Sequence, residues 1–391
     1  MKIDWPHRGH SYSKEEINAV VEIMSNPKIQ LTQGSCVLKF EEDFMNYLGS
    51  KNAFSLMSAA HGLDIAANLI EIQKGDEVII PAHTYCATAL AFARRGAIIK
   101  WADICPDSLT VTLESISKLV TPQTKAVAVV HLYGLMCPDI LEISDFLRGK
   151  NIFLIEDCAQ SLGANLEGKH CGTIGDIGIF SFHSQKNLTT LGEGGMIVVK
   201  NQDLAKHVKG LRLNGHAPFV NKDEYWLPAM TNVDEDIPGI WPIKSSMNEA
   251  QGAIGSSIIK RMDSLTEKRR SLSNFFRSKL KNLPELKFQN IHSKTAHSHH
   301  LLPVKCISDN WNRDDLIRIL FNKYNIKCVI QYYPLNRYDL FKKNGMGNAN
   351  VPNTDEFYDN MISIPFSLTF SEKENIYLVN SIIESIKELN Q

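Results

Sequence analysis

The run IFLIEDCAQSLGA, residues 152–164, decides how this chain folds. It opens on four apolar, strand-forming residues without polar alternation and closes on two carboxylates, Glu156 and Asp157, before a Gly-Ala break. A strand apolar on both sides is buried on both faces, which is the habit of parallel sheets covered by helices. The pattern recurs on either side of it: IGIFSFH (177–183) and MIVVK (196–200) downstream, AVAVVHL (126–132), AIIKWADI (97–104) and DEVIIPA (76–82) upstream. Helical stretches between most of these runs supply the crossovers, so the spacing predicts an α/β fold with a mostly parallel sheet.

Farther out, Tyr12–Met24 reads as an amphipathic helix. Ser13 caps it, Glu16 stands three positions later, and Ile17, Val20, Val21 and Met24 share one face. From residue 256 the character changes to a long charged helix (258–280), strand candidates LLPVKCI (301–307) and KCVIQYY (327–333), and a closing helix from Ser371 to Leu389. The expected division is an arm and large α/β domain over 1–255 and a small α+β domain over 256–391. Two domains suit the length of 391 residues, since single cores stop growing at roughly 250–300.

Forty-two basic against 43 acidic residues leave a formal charge of -1, which offers no electrostatic footprint for nucleic acid or an anionic membrane. The eight cysteines form no CxxC pair and no zinc-like spacing, and His297, His299 and His300, with no carboxylate or thiol beside them, read as structural or surface residues; no metal is expected. MKIDWPHRGH carries no signal-peptide core and no stretch approaches the ~18 apolar residues of a membrane span, so the expected location is the cytoplasm.

The chemistry concentrates in SFHSQKNLTTLGEGG, residues 181–195, where a lysine follows a buried strand and precedes a glycine-rich turn. Alone, Lys186 reads as a solvated loop residue; in a pocket that lowers its pKa, it is a nucleophile able to condense with an aldehyde cofactor. The context favours the second reading. Glu156 and Asp157 end a strand at the carboxyl edge, where open α/β sheets hold ligands. A carboxylate there either caps the next helix or pairs with the ring nitrogen of pyridoxal phosphate and makes the ring an electron sink. Gln160, one turn on, reaches toward the ring hydroxyl or the Asp.

Taken with LTQGSCVLKFEEDF (31–44), GDEVIIPAHTYCAT (75–88), TPQTKAVAVVHLYG (121–134), MNEAQGAIG (247–255) and SIP (363–365), these two segments resemble the DegT/DnrJ/EryC1/StrS family of sugar aminotransferases in order across nearly the whole chain. The resemblance implies a fold-type I homodimer with each site at the subunit interface. It implies that Lys186 carries pyridoxal 5'-phosphate as a Schiff base and shuttles the proton, with pyridoxamine 5'-phosphate formed between half-reactions. It also implies that Asp157 pairs with the pyridine nitrogen, Tyr85 stacks on the ring, Ser181 binds the phosphate and Gln160 lies near the ring oxygen, while Asn187 and Glu193 shape the pocket. L-Glutamate is the implied donor and a nucleotide-linked keto-sugar the implied ketone acceptor, with a small phosphorylated ketone or a cyclitol as alternatives.

Three stretches depart from the family pattern. Ser58-Ala59-Ala60-His61 stands where Ser-Gly-Thr is usual, leaving the main chain of Ala59 and Ala60 to meet the phosphate. Lys244 aligns with an asparagine that reaches the neighbouring subunit's phosphate. In YYPLNRYDLF (332–341), Asn336 replaces a histidine and Arg337 adds a charge, which suits either an acidic substrate or a solvated loop. A pyridoxamine-phosphate sugar dehydratase of this fold would carry histidine in the lysine's place, and His183 lies three positions too early for that. A non-catalytic regulatory relative is the remaining alternative, which the Lys and Asp pair opposes.

Overall fold

A computed structural model describes residues 1–216 and 240–391. Its first half alternates strand and helix. The elements are α1 (Lys14–Ser25), α2 (Ser35–Leu48), β1 (Ala53–Leu56), α3 (Ala59–Leu69), β2 (Glu77–Pro81), α4 (Ala87–Ala93), β3 (Ile98–Ala102), α5 (Leu113–Ser117), β4 (Thr124–Val130), α6 (Ile140–Arg148) and β5 (Phe153–Asp157). After the two-residue strands β6 (Asn165–Leu166) and β7 (Lys169–His170) come β8 (Ile177–Ser181), β9 (Gly195–Val199) and α7 (Gln202–Leu211).

Seven strands form one sheet in the order β1-β9-β8-β5-β4-β2-β3. The β3, β2, β4, β5 and β8 strands run parallel, as expected; β8 and β9 form an antiparallel hairpin and β1 closes that edge antiparallel to β9. Alternate residues of each strand serve opposite cores. Val127 and Val129 pack with α2, α6 and α8 residues on one side, while Ala126 and Ala128 pack with α3, α4 and α7 residues on the other. Burial on both faces is why these strands read as continuous apolar runs.

The second half holds α8 (Glu249–Ile259), α9 (Met262–Leu280), β10 (Leu286–Phe288), the short β11 (Thr295–Ala296), β12 (Leu302–Cys306), α10 (Arg313–Asn322), α11 (Asp339–Lys343), α12 (Pro352–Asn360), β13 (Met361–Ile364) and α13 (Glu372–Leu389). Strands β10, β12 and β13 make a small antiparallel sheet with its own core, which Ile3 of the N-terminal arm joins. Position 255 lies within α8, whose Ile254 and Ile258 pack into the large-sheet core.

Two local expectations are corrected. The charged helix expected over 258–280 is two helices, because α8 ends at Ile259 and α9 begins at Met262. KCVIQYY forms no strand and makes only the single bridge Val329 to Ser363; β13 takes the strand position beside β12. Helix α1 has the expected capping box of Ser13 and Glu16, yet it turns Ile17, Val21 and Met24 outward, 49–78% exposed, and buries Glu16 with Ile23. The Glu16 carboxylate accepts from Arg261 (Nη2 to Oε2, 2.9 Å), so an ion pair pulls the polar side of the helix inward.

Candidate active site

The carboxyl ends of β2, β4, β5 and β8 reach one edge of the sheet, with Val130 in register with Asp157 and Asp157 with Ile179. A cavity of about 590 Å³ opens there, and Lys186, Asp157, Gln160, Ser181, Tyr85, Ala59, Ala60 and Glu193 all line it. Sequence positions spread over more than 130 residues thus converge because parallel strands end on the same side.

The loop between β8 and β9 closes on itself. Phe182 N–H donates to Gly194 O (2.8 Å), Ser184 N–H to Gly192 O (2.9 Å) and Thr190 N–H to Phe182 O (3.0 Å), while Leu191 and Gly192 turn at φ 63° and 119°. The tip of this loop presents Lys186, whose N–H donates to His183 O (2.8 Å). Burial lowers its ammonium to about 8 against the opposing pull of Asp157, so that roughly a tenth is free amine at pH 7, far more than for an ordinary lysine. Asn187, next in sequence, points away: its amide donates to Leu162 O and Ser298 O beneath the loop.

Asp157 is fixed from both oxygens. Thr88 Oγ1 donates to Oδ2 (2.7 Å) and Ala159 N–H to Oδ1 (3.1 Å). Gln160 accepts from Tyr133 N–H at Oε1 (2.8 Å) and donates from Nε2 to Tyr332 Oη (2.8 Å). Because Oη accepts there, the phenol proton of Tyr332 stays available, and burial raises that phenol's pKa, with Asp157 adding to the effect and Gln160 opposing it. Tyr133 donates to Gln331 O (2.6 Å), so His83 Nε2 must donate to Tyr133 Oη (2.7 Å); burial lowers His83 to about 3 and keeps it neutral.

At the opposite wall, helix α3 begins with Ser58 as N-cap, accepting from His61 N–H (3.3 Å) with His61 Nδ1 3.0 Å away. The first helical N–H groups, of Ala59 and Ala60, have no partner within the helix and face a cavity that Ser181 also lines. Such an end favours an anion. Gly195 brings this cup against the lysine loop: a Cβ there would stand 2.5 Å from Ser58 C and 2.7 Å from Ala59 N.

Three sequence-predicted residues are not brought to the cavity. Lys244 is exposed at a bridge to Leu213, Asn336 is buried with Oδ1 unpartnered, and Arg337 pairs with Asp355 (Nη2, 2.6 Å) and Asp359 (Nη1, 2.9 Å). Conversely, Thr88, His83, Tyr133 and Tyr332 support the site without having been singled out; GDEVIIPAHTYCAT contained two of them, but no spacing marks which hydroxyl meets Asp157. The three histidines at 297–300 are buried and neutral, His297 stacked on His299 at 4.0 Å, with burial the first cause of their lowered pKa values. Among the described residues the one metal-like group is His131, Glu156 and Cys158, and both nitrogens of His131 are taken, Nε2 by Glu156 (2.8 Å) and Nδ1 by Cys137 N–H (3.0 Å).

The sequence model of the DegT/DnrJ/EryC1/StrS aminotransferase family matches residues 10–383. An uncharacterised protein of Methanocaldococcus jannaschii is 32% identical over 385 residues, 96% of either chain. GDP-perosamine synthase of Vibrio cholerae is 31% identical over 312 residues, covering 80% of each. Among solved structures, the aminotransferase from Psychrobacter cryohalolentis superimposes over the whole of both chains with a TM-score of 0.87 at 25% identity.

Proposed function

The chain belongs to the DegT/DnrJ/EryC1/StrS aminotransferase family, and from that premise we propose that it transfers an amino group from L-glutamate to the ketone of a nucleotide-linked sugar, using pyridoxal phosphate held at Lys186. The observation that carries this reading is the pairing, across one cavity, of a lysine lowered to about 8 with a carboxylate fixed at the strand edge. The donor set fits the cofactor part by part. Lys186 offers the amine for the aldehyde, Asp157 a carboxylate for the ring nitrogen, and Ala59, Ala60 and Ser181 offer N–H and hydroxyl donors for the phosphate. Tyr85, 60% exposed at the rim, offers an aromatic face.

When bound, the cofactor supplies an electron sink for the pair left by a broken C–H bond. Lys186 Nζ takes the proton from the donor's α-carbon and, in the second half-reaction, delivers one to the acceptor carbon. Asp157, fixed by Thr88 and Ala159, holds negative charge where the ring nitrogen must stay protonated. Gln160 orients Tyr332.

GDP-perosamine synthase among the relatives supports a nucleotide-linked acceptor, and the reading includes a homodimer. The outward apolar stripe of Ile17, Val21 and Met24 on α1 supports a covering partner as well. Lys244, exposed and away from its own chain's cavity, is free to reach the phosphate of a second copy. Among the described residues no helix is long and apolar enough to cross a membrane, and we assign the protein to the cytoplasm, where nucleotide-sugars are made.

The test is spectroscopic. Wild type loaded with pyridoxal phosphate is expected to show the visible band of lysine-bound cofactor and to lose it on adding L-glutamate, while Lys186→Ala does neither. A wild type that takes up no cofactor, or a variant that responds to glutamate as wild type does, sinks the assignment.

A further inference from the structure

Tyr332 and Lys186 line the large cavity together. The Tyr332 ring is stacked on Tyr133, with centroids 6.4 Å apart and 18° between planes, and meets Tyr85 edge-on at 6.2 Å and His83 at 6.5 Å. Gln160 fixes the hydroxyl. Because Gln160 Oε1 already accepts from Tyr133 N–H, the amide is turned so that Nε2 donates to Tyr332 Oη, and Oη donates to no other atom among the described residues. Burial raises the phenol's pKa, with Asp157 and Tyr85 adding to it against Gln160, so the hydroxyl keeps its proton. Tyr332 is thus a hydrogen-bond donor, held rigidly at the cavity wall, with no acceptor of its own.

Lys186 and Tyr332 also border a second cavity, about 40 Å³ in volume, whose roof includes Trp5, Pro6 and Gly9 of the N-terminal arm. The arm is fastened at several points. Gln185 Nε2 donates to Pro6 O (2.9 Å), Ser367 Oγ to Arg8 O (2.9 Å), and Gly9 N–H to Ser184 O (3.1 Å). Arg269, fully buried, donates from Nη2 to Gly9 O (2.7 Å). A water needs roughly 10–15 Å³ of such space, so the small cavity admits a few waters and no aromatic ring. A cofactor ring in contact with Tyr332 must therefore lie in the large cavity.

The covalent order of pyridoxal phosphate then restricts which atom meets the phenol. Around the ring, the aldehyde-bearing carbon stands opposite the nitrogen, with the phosphate-bearing carbon on one flank and the oxygen-bearing carbon on the other. With the nitrogen at Asp157, the aldehyde at Lys186 and the phosphate at Ala59, Ala60 and Ser181, the oxygen is left to face the wall that Gln160 and Tyr332 form. We propose that Tyr332 donates a hydrogen bond to the ring oxygen of the cofactor, and that Gln160 is the positioning residue that aims it. The inference rests on the reading of Lys186 and Asp157 as cofactor contacts. Such a bond stabilises negative charge on the oxygen, and so lowers the pH at which the lysine-bound nitrogen beside it gives up its proton.

The experiment loads wild type and Tyr332→Phe, which keeps the ring and its stacking, with pyridoxal phosphate and follows the visible band against pH with no amino donor present. The pH above which the band fades is expected to rise in the variant by roughly one unit, the lower end of what a hydrogen bond to a charged atom contributes. Gln160→Ala is expected to shift it less, and the double variant no further than Tyr332→Phe alone. No shift in Tyr332→Phe, or a larger one in Gln160→Ala, overturns the contact; a double variant shifted further overturns the positioning role of Gln160. Where no band turns over in the pH range in which the proteins stay folded, binding decides. Tyr332→Phe is then expected to weaken uptake of pyridoxal phosphate roughly tenfold and to leave uptake of the analogue lacking the ring oxygen unchanged, and equal losses or none overturn the contact. A wild type that takes up no cofactor overturns the reading of Lys186 and this contact together; a normal wild-type band with an unaltered Tyr332→Phe overturns the contact alone.

Discussion

Two basic residues stand between regular strands and α-helices beside the same sheet edge, Lys186 in the loop after β8 and Arg337 at the end of a 3-10 turn before α11, and the fold treats them oppositely. Lys186 has burial against its charge and only Asp157 nearby, across the cavity, to favour it, and its pKa falls to about 8. Arg337 sits between Asp355 and Asp359, which hold its charge in place and push its pKa up. The lesson is that a cation is available for chemistry where the surroundings withhold partners, and that a basic residue in a substrate-facing segment of the sequence is not by itself a substrate contact.

The comparison can be broken from the lysine side first. Asp157→Asn keeps the shape but removes the charge facing the ring nitrogen, and single-turnover conversion by glutamate should fall on the order of 10²–10³-fold, as for other preorganised charge contacts. A variant as fast as wild type would mean that Asp157 is only a cap. Cofactor capture by apo protein should depend on free amine. Its rate should rise about tenfold per pH unit below the lysine's pKa and level off above about 8, where an ordinary lysine would keep gaining to about 10.4. A profile still climbing at pH 10 would put Lys186 among ordinary solvated lysines. Thr88→Val removes one hydrogen bond to the carboxylate, expected to cost about 1.5–3 kcal/mol of its fixing, read as roughly a tenfold or greater slowing of the same half-reaction. Last and smallest, Arg337→Gln should change stability by no more than about 1 kcal/mol in denaturant titration and leave the glutamate half-reaction within about twofold, as for partly exposed ion pairs. A large loss of turnover there would restore Arg337 to the substrate site.

What could be read in advance was what repeats along the chain. Apolar runs of five to eight residues marked β2, β3, β4, β5, β8 and β9, because burial on both faces leaves an unbroken hydrophobic signature. Strand β1, only four residues long with Ser55 interrupting its apolar run, escaped notice. Lys186 and Asp157 were legible because each ends or follows such a run. Their supporting shell was not: Thr88 meets Asp157 across 69 positions, and Tyr332 meets Gln160 across 172. Helix α1 and its capping box were legible too, but not the pairing of Glu16 with Arg261, far along the chain, that accompanies the outward turn of Ile17, Val21 and Met24.

The fastening of the arm also bears on when the site comes into being during synthesis. Residues 3–9 touch Asn325, Lys327, Arg269 and Ser367, so the roof beside Lys186 cannot close until most of the chain has been made. Contacts of such sequence separation form late, after their loop-closure entropy has been met. A nascent chain displays its lysine uncovered, and the roof beside it is among the last parts of the fold to settle.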